Sequence, residues 1–151
     1  MWRLAAVSED DDIIAMSRRL YSEDPSPLPV PEQHTRATLS ILRKEPVRGC
    51  ALVLDLNETI AGYALLISFW SNELGGEVVV IDELYIGPSH RRQGYGRALL
   101  FELAREKTLW PRQAVALELE VTPQNARAAS LYSSVGFTQV KNSRLRYLRL
   151  P

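Results

Sequence analysis

Residues 78–100, VVVIDELYIGPSHRRQGYGRALL, constrain this chain more than any other stretch. Residues 78–86 are a run of β-branched and aromatic side chains, which is a strand signal. Residues 87–96 form a short loop rich in arginine and glycine. From Arg97 onward Leu99, Leu100 and Leu103 recur at helical spacing, so an amphipathic helix is expected. A strand feeding such a loop and then a helix is suited to holding an anion. The first N–H groups of a helix have no partner inside it, and they carry partial positive charge. Gly94 and Gly96 lack a Cβ, so a phosphate can approach the backbone closely. Arg91, Arg92 and Arg97 add full charges that can bind phosphate through paired hydrogen bonds. The nucleotide P-loop is excluded, because it needs Lys then Ser or Thr where this chain has Arg97-Ala98. The dinucleotide fingerprint fits poorly, because it wants a small residue where Leu99 stands.

A chain of 151 residues, 46% hydrophobic and 24% charged, suits one domain with a real core over residues 1–151. The 18 basic and 18 acidic residues cancel. Without a net field or a wider basic stripe, a nucleic-acid or membrane partner is not expected. A basic loop in a neutral chain points instead to a small anionic ligand. Cys50 is the single cysteine, so an internal disulfide is impossible and core filling is its expected role. With His34 and His90 as the two histidines, no metal site is expected. Residues 1–12 turn acidic at once and lack signal-peptide features. The longest apolar stretch, residues 60–70, is too short to span a bilayer. A reducing cytoplasm is the expected setting.

Taken in order, residues 2–7 suggest a short strand. Ser8 is a candidate N-cap for a helix with acids at Glu9 to Asp12 in its first turn. Ile13, Ile14, Met16, Leu20 and Tyr21 mark its buried face. Residues 24–31 hold four prolines and form a stiff connection. That connection is either a plain linker or, with Glu23 and Asp24, an acidic wall of a site. A second helix follows over residues 31–44. Residues 49–56 and 59–70 are apolar strands joined by Asn57-Glu58, and Gly75-Gly76 permits another hairpin into residues 78–86. Beyond the helix, expected to reach about Leu109, Trp110-Pro111 makes a break. Residues 114–121 alternate as a strand, 123–134 form a short helix, and 138–140 and 144–150 read as closing strands. The order β-α-α-β-β-β-α-β-α-β-β mixes hairpins with one crossover. It implies an α/β (α+β) fold with a mixed, mostly antiparallel central sheet flanked by helices.

Arg91-Arg92-Gln93-Gly94-Tyr95-Gly96 matches the pattern Gln/Arg-x-x-Gly-x-Gly/Ala, and Asn125, small residues, Leu131-Tyr132 and Gly136-Phe137 follow downstream. Both motifs, at this separation and in this element order, resemble the GNAT (GCN5-related N-acetyltransferase) superfamily along nearly the whole chain. Gly136 suits a helix C-cap, and Asn125 is either a helix cap or a cofactor contact. The resemblance implies acetyl-CoA as cosubstrate and acetyl transfer to a primary amine. It places the pantetheine arm along backbone groups of Leu84, Tyr85 and Ile86, and the pyrophosphate on the N–H groups from Arg92 to Arg97. It makes Tyr132 the acid that protonates the departing thiolate. It also permits a homodimer through a sheet edge or through Leu145, Tyr147, Leu148 and Leu150.

The attacking amine must be neutral, yet its pKa is ~10.4. A carboxylate, directly or through water, can take the proton. Asp82 and Glu83 are acids inside an apolar strand, where acids are disfavoured and costly to bury. They point to opposite faces of a regular strand. Glu83 is the preferred base, with Asp82 in reserve. Glu118 and Glu120 share a face and can attract a cation or simply face water. Residues 62–76 and 81–86 look like the small-amine and diamine acetyltransferase branch. With Asp24, this points to a small cationic amine, with Trp70 lining its cavity. A protein N-terminus, a lysine, or a regulatory module that binds acetyl-CoA without turnover are the rival readings.

Overall fold

The computed structural model describes residues 1–105 and 108–149. The chain divides into two compact units, Met1–Glu120 and Val121–Pro151.

The first unit opens with β1 (Trp2–Leu4), α1 (Asp10–Glu23) and α2 (Glu32–Lys44). It continues with β2 (Gly49–Leu56), β3 (Thr59–Ser71), β4 (Gly76–Ile86), α3 (Tyr95–Arg105) and β5 (Ala114–Leu119). The five strands form one sheet in the order β1-β2-β3-β4-β5. All neighbours are antiparallel except β4 and β5, which are parallel and joined through α3. The fold is therefore the mixed, mostly antiparallel sheet with flanking helices that the sequence pattern implies.

Directly paired residues share a face of the sheet. Val53, Tyr63, Leu65 and Tyr85 form a buried cluster with Ile13, Ile14 and Met16 of α1 and Leu39 and Leu42 of α2. The alternating residues Leu52, Leu54, Ala64 and Leu66 are also fully buried, on the other face. Trp2 pairs with Leu54 and so belongs to that second face. There its indole N–H donates to the Tyr95 carbonyl at the start of α3, at 2.9 Å. Burial on both faces explains why these strands read as unbroken apolar runs.

Asn57 and Glu58 make the two-residue turn between β2 and β3, both with positive φ. Ser8 does not cap α1. It sits inside a 3-10 turn, Val7–Glu9, that precedes the helix. The Glu9 carboxylate instead reaches back to the Ala6 N–H at 2.7 Å. It also pairs with Arg3, which binds Asp55 as well, so one guanidinium ties β1, β2 and α1 together. Arg112 plays a similar part further on. It binds Glu77 at 2.8 Å and the carbonyls of Pro46 and Val47 at 3.1 Å, and it stacks on Trp110. Helix α3 is described as far as Arg105, residues 106–107 lie outside the described set, and residues 108–110 are not helical, so the helix does not reach Leu109.

The second unit contains α4 (Ala126–Val135). Residues 138–140 and 144–149 form no strand, so the two closing strands are not seen among the described residues, and Leu150 lies outside them. Leu145 and Tyr147 are 93% and 90% exposed. Alternation alone cannot make a strand there, because a hairpin without a covered face is marginal in water.

Candidate active site

Strand β4 is paired differently on its two sides. β3 accompanies it over its whole length, from Ser71↔Gly76 to Gly62↔Ile86. β5 accompanies it only from Glu77↔Ala114 to Ile81↔Leu119. Beyond Ile81 the β5 side carries no strand partner among the described residues. Leu84, Tyr85 and Ile86, expected to face the pantetheine arm, lie on this free stretch. The Ile86 carbonyl is already engaged, accepting from Arg91 Nε at 2.7 Å.

The turn after β4 leads straight to the start of α3. The Gly87 N–H donates to the Ala61 carbonyl at 2.8 Å, and Pro88–His90 make a 3-10 turn. Arg92 and Gly94 then adopt positive φ, 63° and 86°. The helix begins at Tyr95, two residues before the Arg97 start expected from its leucines, and the Ala98 N–H donates back to the Gly94 carbonyl at 2.9 Å. A Cβ on Gly94 would meet nothing within 4 Å. Its backbone angle, and the open approach to the helix start, are therefore what call for glycine. Gln93 bridges the turn through a bond to the Ser89 carbonyl at 3.1 Å. Arg92 and Arg97 are exposed, and Arg97 lies over the Phe101 ring. Gly96 is buried in the first turn.

Arg91 is placed differently from its loop neighbours. Its guanidinium grips both oxygens of Glu23 at 2.9 and 2.7 Å and lies over the Tyr85 ring. Tyr85 in turn donates its hydroxyl to Glu23 at 3.3 Å. Arg91 thus ties the phosphate-type turn to the end of α1, and Arg92 and Arg97 are left as the turn's exposed cations.

The two acids of β4 are separated by a bulge. Glu83 pairs with Leu65, but Leu66 pairs with Ile81, so Asp82 is an extra residue in the strand. Glu83 consequently shares the α1 and α2 face with Tyr63 and Tyr85, while Ile81 belongs to the other face. Asp82 is exposed. Each Glu83 oxygen receives its own phenol. Tyr21 of α1 donates to Oε1 at 2.5 Å, and Tyr63 of β3 donates to Oε2 at 2.7 Å. Burial pushes the Glu83 carboxyl above its ordinary value, the two phenols pull it back, and Asp82 adds to the rise. Burial likewise raises both phenols, with the Glu83 charge adding to it. Tyr63 went unremarked in the sequence, and Tyr21 read only as core. The legible signal was Ser17 and Tyr21, polar groups four residues apart on an apolar helix face.

Asp24 caps the end of α1, its N–H donating to the Leu20 carbonyl at 2.8 Å. It therefore lies one residue past Glu23 and beside the proline-rich connection. Trp70 is not brought to this cluster. It pairs with Glu77, five residues along β3 from the Leu65↔Glu83 pair, a distance of ~17 Å at the ordinary strand rise. Glu118 and Glu120 are exposed, on and just past β5.

In the second unit Asn125 takes the capping role. Its side chain accepts from the Ala128 N–H at 3.1 Å and opens α4. Gly136 closes the helix in the left-handed conformation, and the Phe137 N–H reaches back to the Tyr132 carbonyl at 3.1 Å. The Tyr132 and Phe137 rings are 6.0 Å apart. Desolvation raises the Tyr132 phenol above its ordinary value.

A strand released from its parallel neighbour thus runs through a positive-φ turn into an open helix start. The chain belongs to the Acetyltransferase (GNAT) family, whose model matches residues 12–137. It is similar to the [ribosomal protein bS18]-alanine N-acetyltransferase of Escherichia coli K12, with 42% identity over 74 residues, 46% of this chain and 49% of that protein. The chain thus spans about half the length of the curated relatives it matches. Among solved structures, a possible acetyltransferase from Clostridium difficile 630 superposes with a TM-score of 0.81 at 18% identity, covering 100% of this chain and 98% of that one. An aminoglycoside N-acetyltransferase in complex with CoA superposes with a TM-score of 0.77 at 15% identity, covering 99% and 95%.

Proposed function

We propose that this chain transfers an acetyl group from acetyl-CoA to the primary amine of a small cationic molecule. The observation that carries the reading is the end of the β4–β5 ladder at Ile81↔Leu119, just before β4 runs into the turn at Arg92 and Gly94. The free edge at Leu84 and Tyr85 offers hydrogen bonds to an extended arm carrying amides. The N–H groups from Arg92 to Arg97, with the Arg92 and Arg97 side chains, hold the pyrophosphate. Arg91 contributes by anchoring this turn through Glu23.

In this reading the amine attacks the thioester carbonyl, and Glu83 takes the amine's proton through Tyr21 or a water. Asp82 is the reserve base, because it is exposed at the bulge. A backbone N–H of β4 stabilises the oxyanion. Tyr132 protonates the departing thiolate, and its raised phenol keeps that proton in place at neutral pH. Asp24 and Glu120 favour a cationic acceptor. That an aminoglycoside acetyltransferase shares the fold is consistent with such an acceptor. A second reading, acetylation of a protein's N-terminal α-amine, is favoured by the local identity with the bS18-alanine enzyme.

The test is free-CoA release from acetyl-CoA against polyamines, aminoglycosides, amino acids, lysine peptides and peptides beginning with alanine. Turnover on small polyamines or aminoglycosides, cut at least about tenfold in Tyr132→Phe, supports the proposal. Turnover confined to the alanine peptides selects the second reading. Failure of acetyl-CoA to raise the melting temperature overturns both.

A further inference from the structure

Tyr63 is 0% exposed in the middle of β3, yet it carries a hydroxyl and aims it at a carboxylate. Phenylalanine would fill the same volume without a polar atom to satisfy. A buried phenol and a buried carboxylate each cost free energy unless bonded. The cost is met here by bonds that join β3 and α1 to Glu83 of β4, with a Ser17–Thr35 pair beside them. Ser17 Oγ of α1 lies 3.3 Å from Thr35 Oγ1 of α2. The Ser17 side chain also pulls the Tyr63 phenol down against burial, and Tyr63 donates to Glu83 of β4 at 2.7 Å. The opposite Glu83 oxygen meets Tyr21, which is only half-buried and lies three residues before the α1 cap at Asp24. One oxygen is thus gripped from inside the core, and the other faces the partly open end of α1.

We propose that Tyr63 is a positioning residue that pins Glu83 Oε2 from within the core, so that the Oε1 edge beside Tyr21 is the one that receives the acceptor's proton. The inference rests on the proposed role of Glu83 as proton acceptor. Its consequence concerns the charge state of that group. The groups facing Glu83 are Tyr21 from α1, Tyr63 from β3 and its own neighbour Asp82. Ser17 and Thr35 stand behind Tyr63, and the Glu23–Arg91 pair lies further along the face at Tyr85. The Tyr63 hydroxyl bonds the ionised carboxylate, against the opposing effects of burial and Asp82. Removing it makes Glu83 easier to protonate. Because a base must be ionised to work, the acid limb of the rate profile then moves to higher pH.

The experiment measures kcat/KM against pH for wild type, Tyr63→Phe and Glu83→Gln, with a carboxylate-carbon NMR titration of Glu83 in wild type and Tyr63→Phe. Tyr63→Phe is expected to move both the acid limb and the Glu83 titration upward by about one pH unit. KM for acetyl-CoA stays unchanged. Should that variant fail to fold, Ser17→Ala moves the limb in the same direction by less. A limb and titration that stay in place when the Tyr63 or Ser17 hydroxyl is removed overturn the inference while leaving Glu83 as base. A wild-type acid limb in Glu83→Gln overturns the base assignment itself, and the inference with it, and is distinguished by that variant alone.

Discussion

Glu58 occupies a backbone position that suits glycine. With Asn57 at φ 53° and Glu58 at φ 67°, the β2–β3 turn has the two positive angles that match the twist of a tight hairpin. Asparagine tolerates this, but a glutamate Cβ crowds the carbonyl at a cost of roughly 1–2 kcal/mol. Glu58→Gly keeps the backbone bond from the residue 58 N–H to the Asp55 carboxylate. It is expected to stabilise the protein by about 1 kcal/mol, seen as a rise in melting temperature of about 2–4 °C. At the same scale the chemistry was only partly legible. Two acids inside an apolar strand drew attention to Glu83, on which the fold converges two phenols. Nothing announced Tyr63, because a tyrosine on a buried strand reads the same whether or not its hydroxyl is used. Arg91 looked equivalent to Arg92, and only the fold brings Glu23 from α1 to claim it.

Among the elements, β2, β3 and the hairpins around them were readable because apolar runs stop at turn residues on both sides. The bulge at Asp82 was not readable. Both faces of β4 are covered, so no hydrophobic–polar alternation exists for a one-residue slip to disturb. Residues 144–149 gave the opposite error, an alternating pattern with no ladder beneath it. The turn into α3 yields a sharper prediction. Gly94→Ala places a Cβ at φ 86° and beside the open helix start. The strain is roughly 1 kcal/mol, so the fold should survive. Acetyl-CoA affinity, measured by titration calorimetry, should fall at least about tenfold, since the phosphate can no longer approach the backbone. A folded Gly94→Ala variant with wild-type affinity would contradict this.

For the molecule as a whole, the acids act on stability with two signs. Arg3 holds Glu9 and Asp55 below their ordinary values, and Glu77, although burial pushes it up, is brought down by Arg112 with Ser68 and Trp110. Groups shifted down lend stability above the unfolded carboxylate pKa, ~4, and lose it as the pH falls through their folded values. Glu83 is shifted up, so its contribution is complete below ~4.3 and is lost as the pH rises through its folded value. Glu83→Gln should therefore melt higher than wild type at pH ~7 while losing turnover, and the gap should close toward pH ~4. Melting curves across that range check both signs. A residue that weakens the fold at working pH is what a site built for chemistry is expected to contain.

The extra residue in β4 carries one more consequence, for how this chain can change length. Leu65 faces Glu83 and Leu66 faces Ile81 whether or not a residue stands between the latter two. Removing Asp82 would keep every apolar side chain on its present face and leave the core intact. It would also straighten β4 at the point where β5 departs, inviting the parallel ladder to continue past Leu119 and close the free edge. A deletion silent to hydrophobic packing would then abolish the opening, so at this position chain length itself, rather than side-chain chemistry, sets whether the proposed cofactor edge exists.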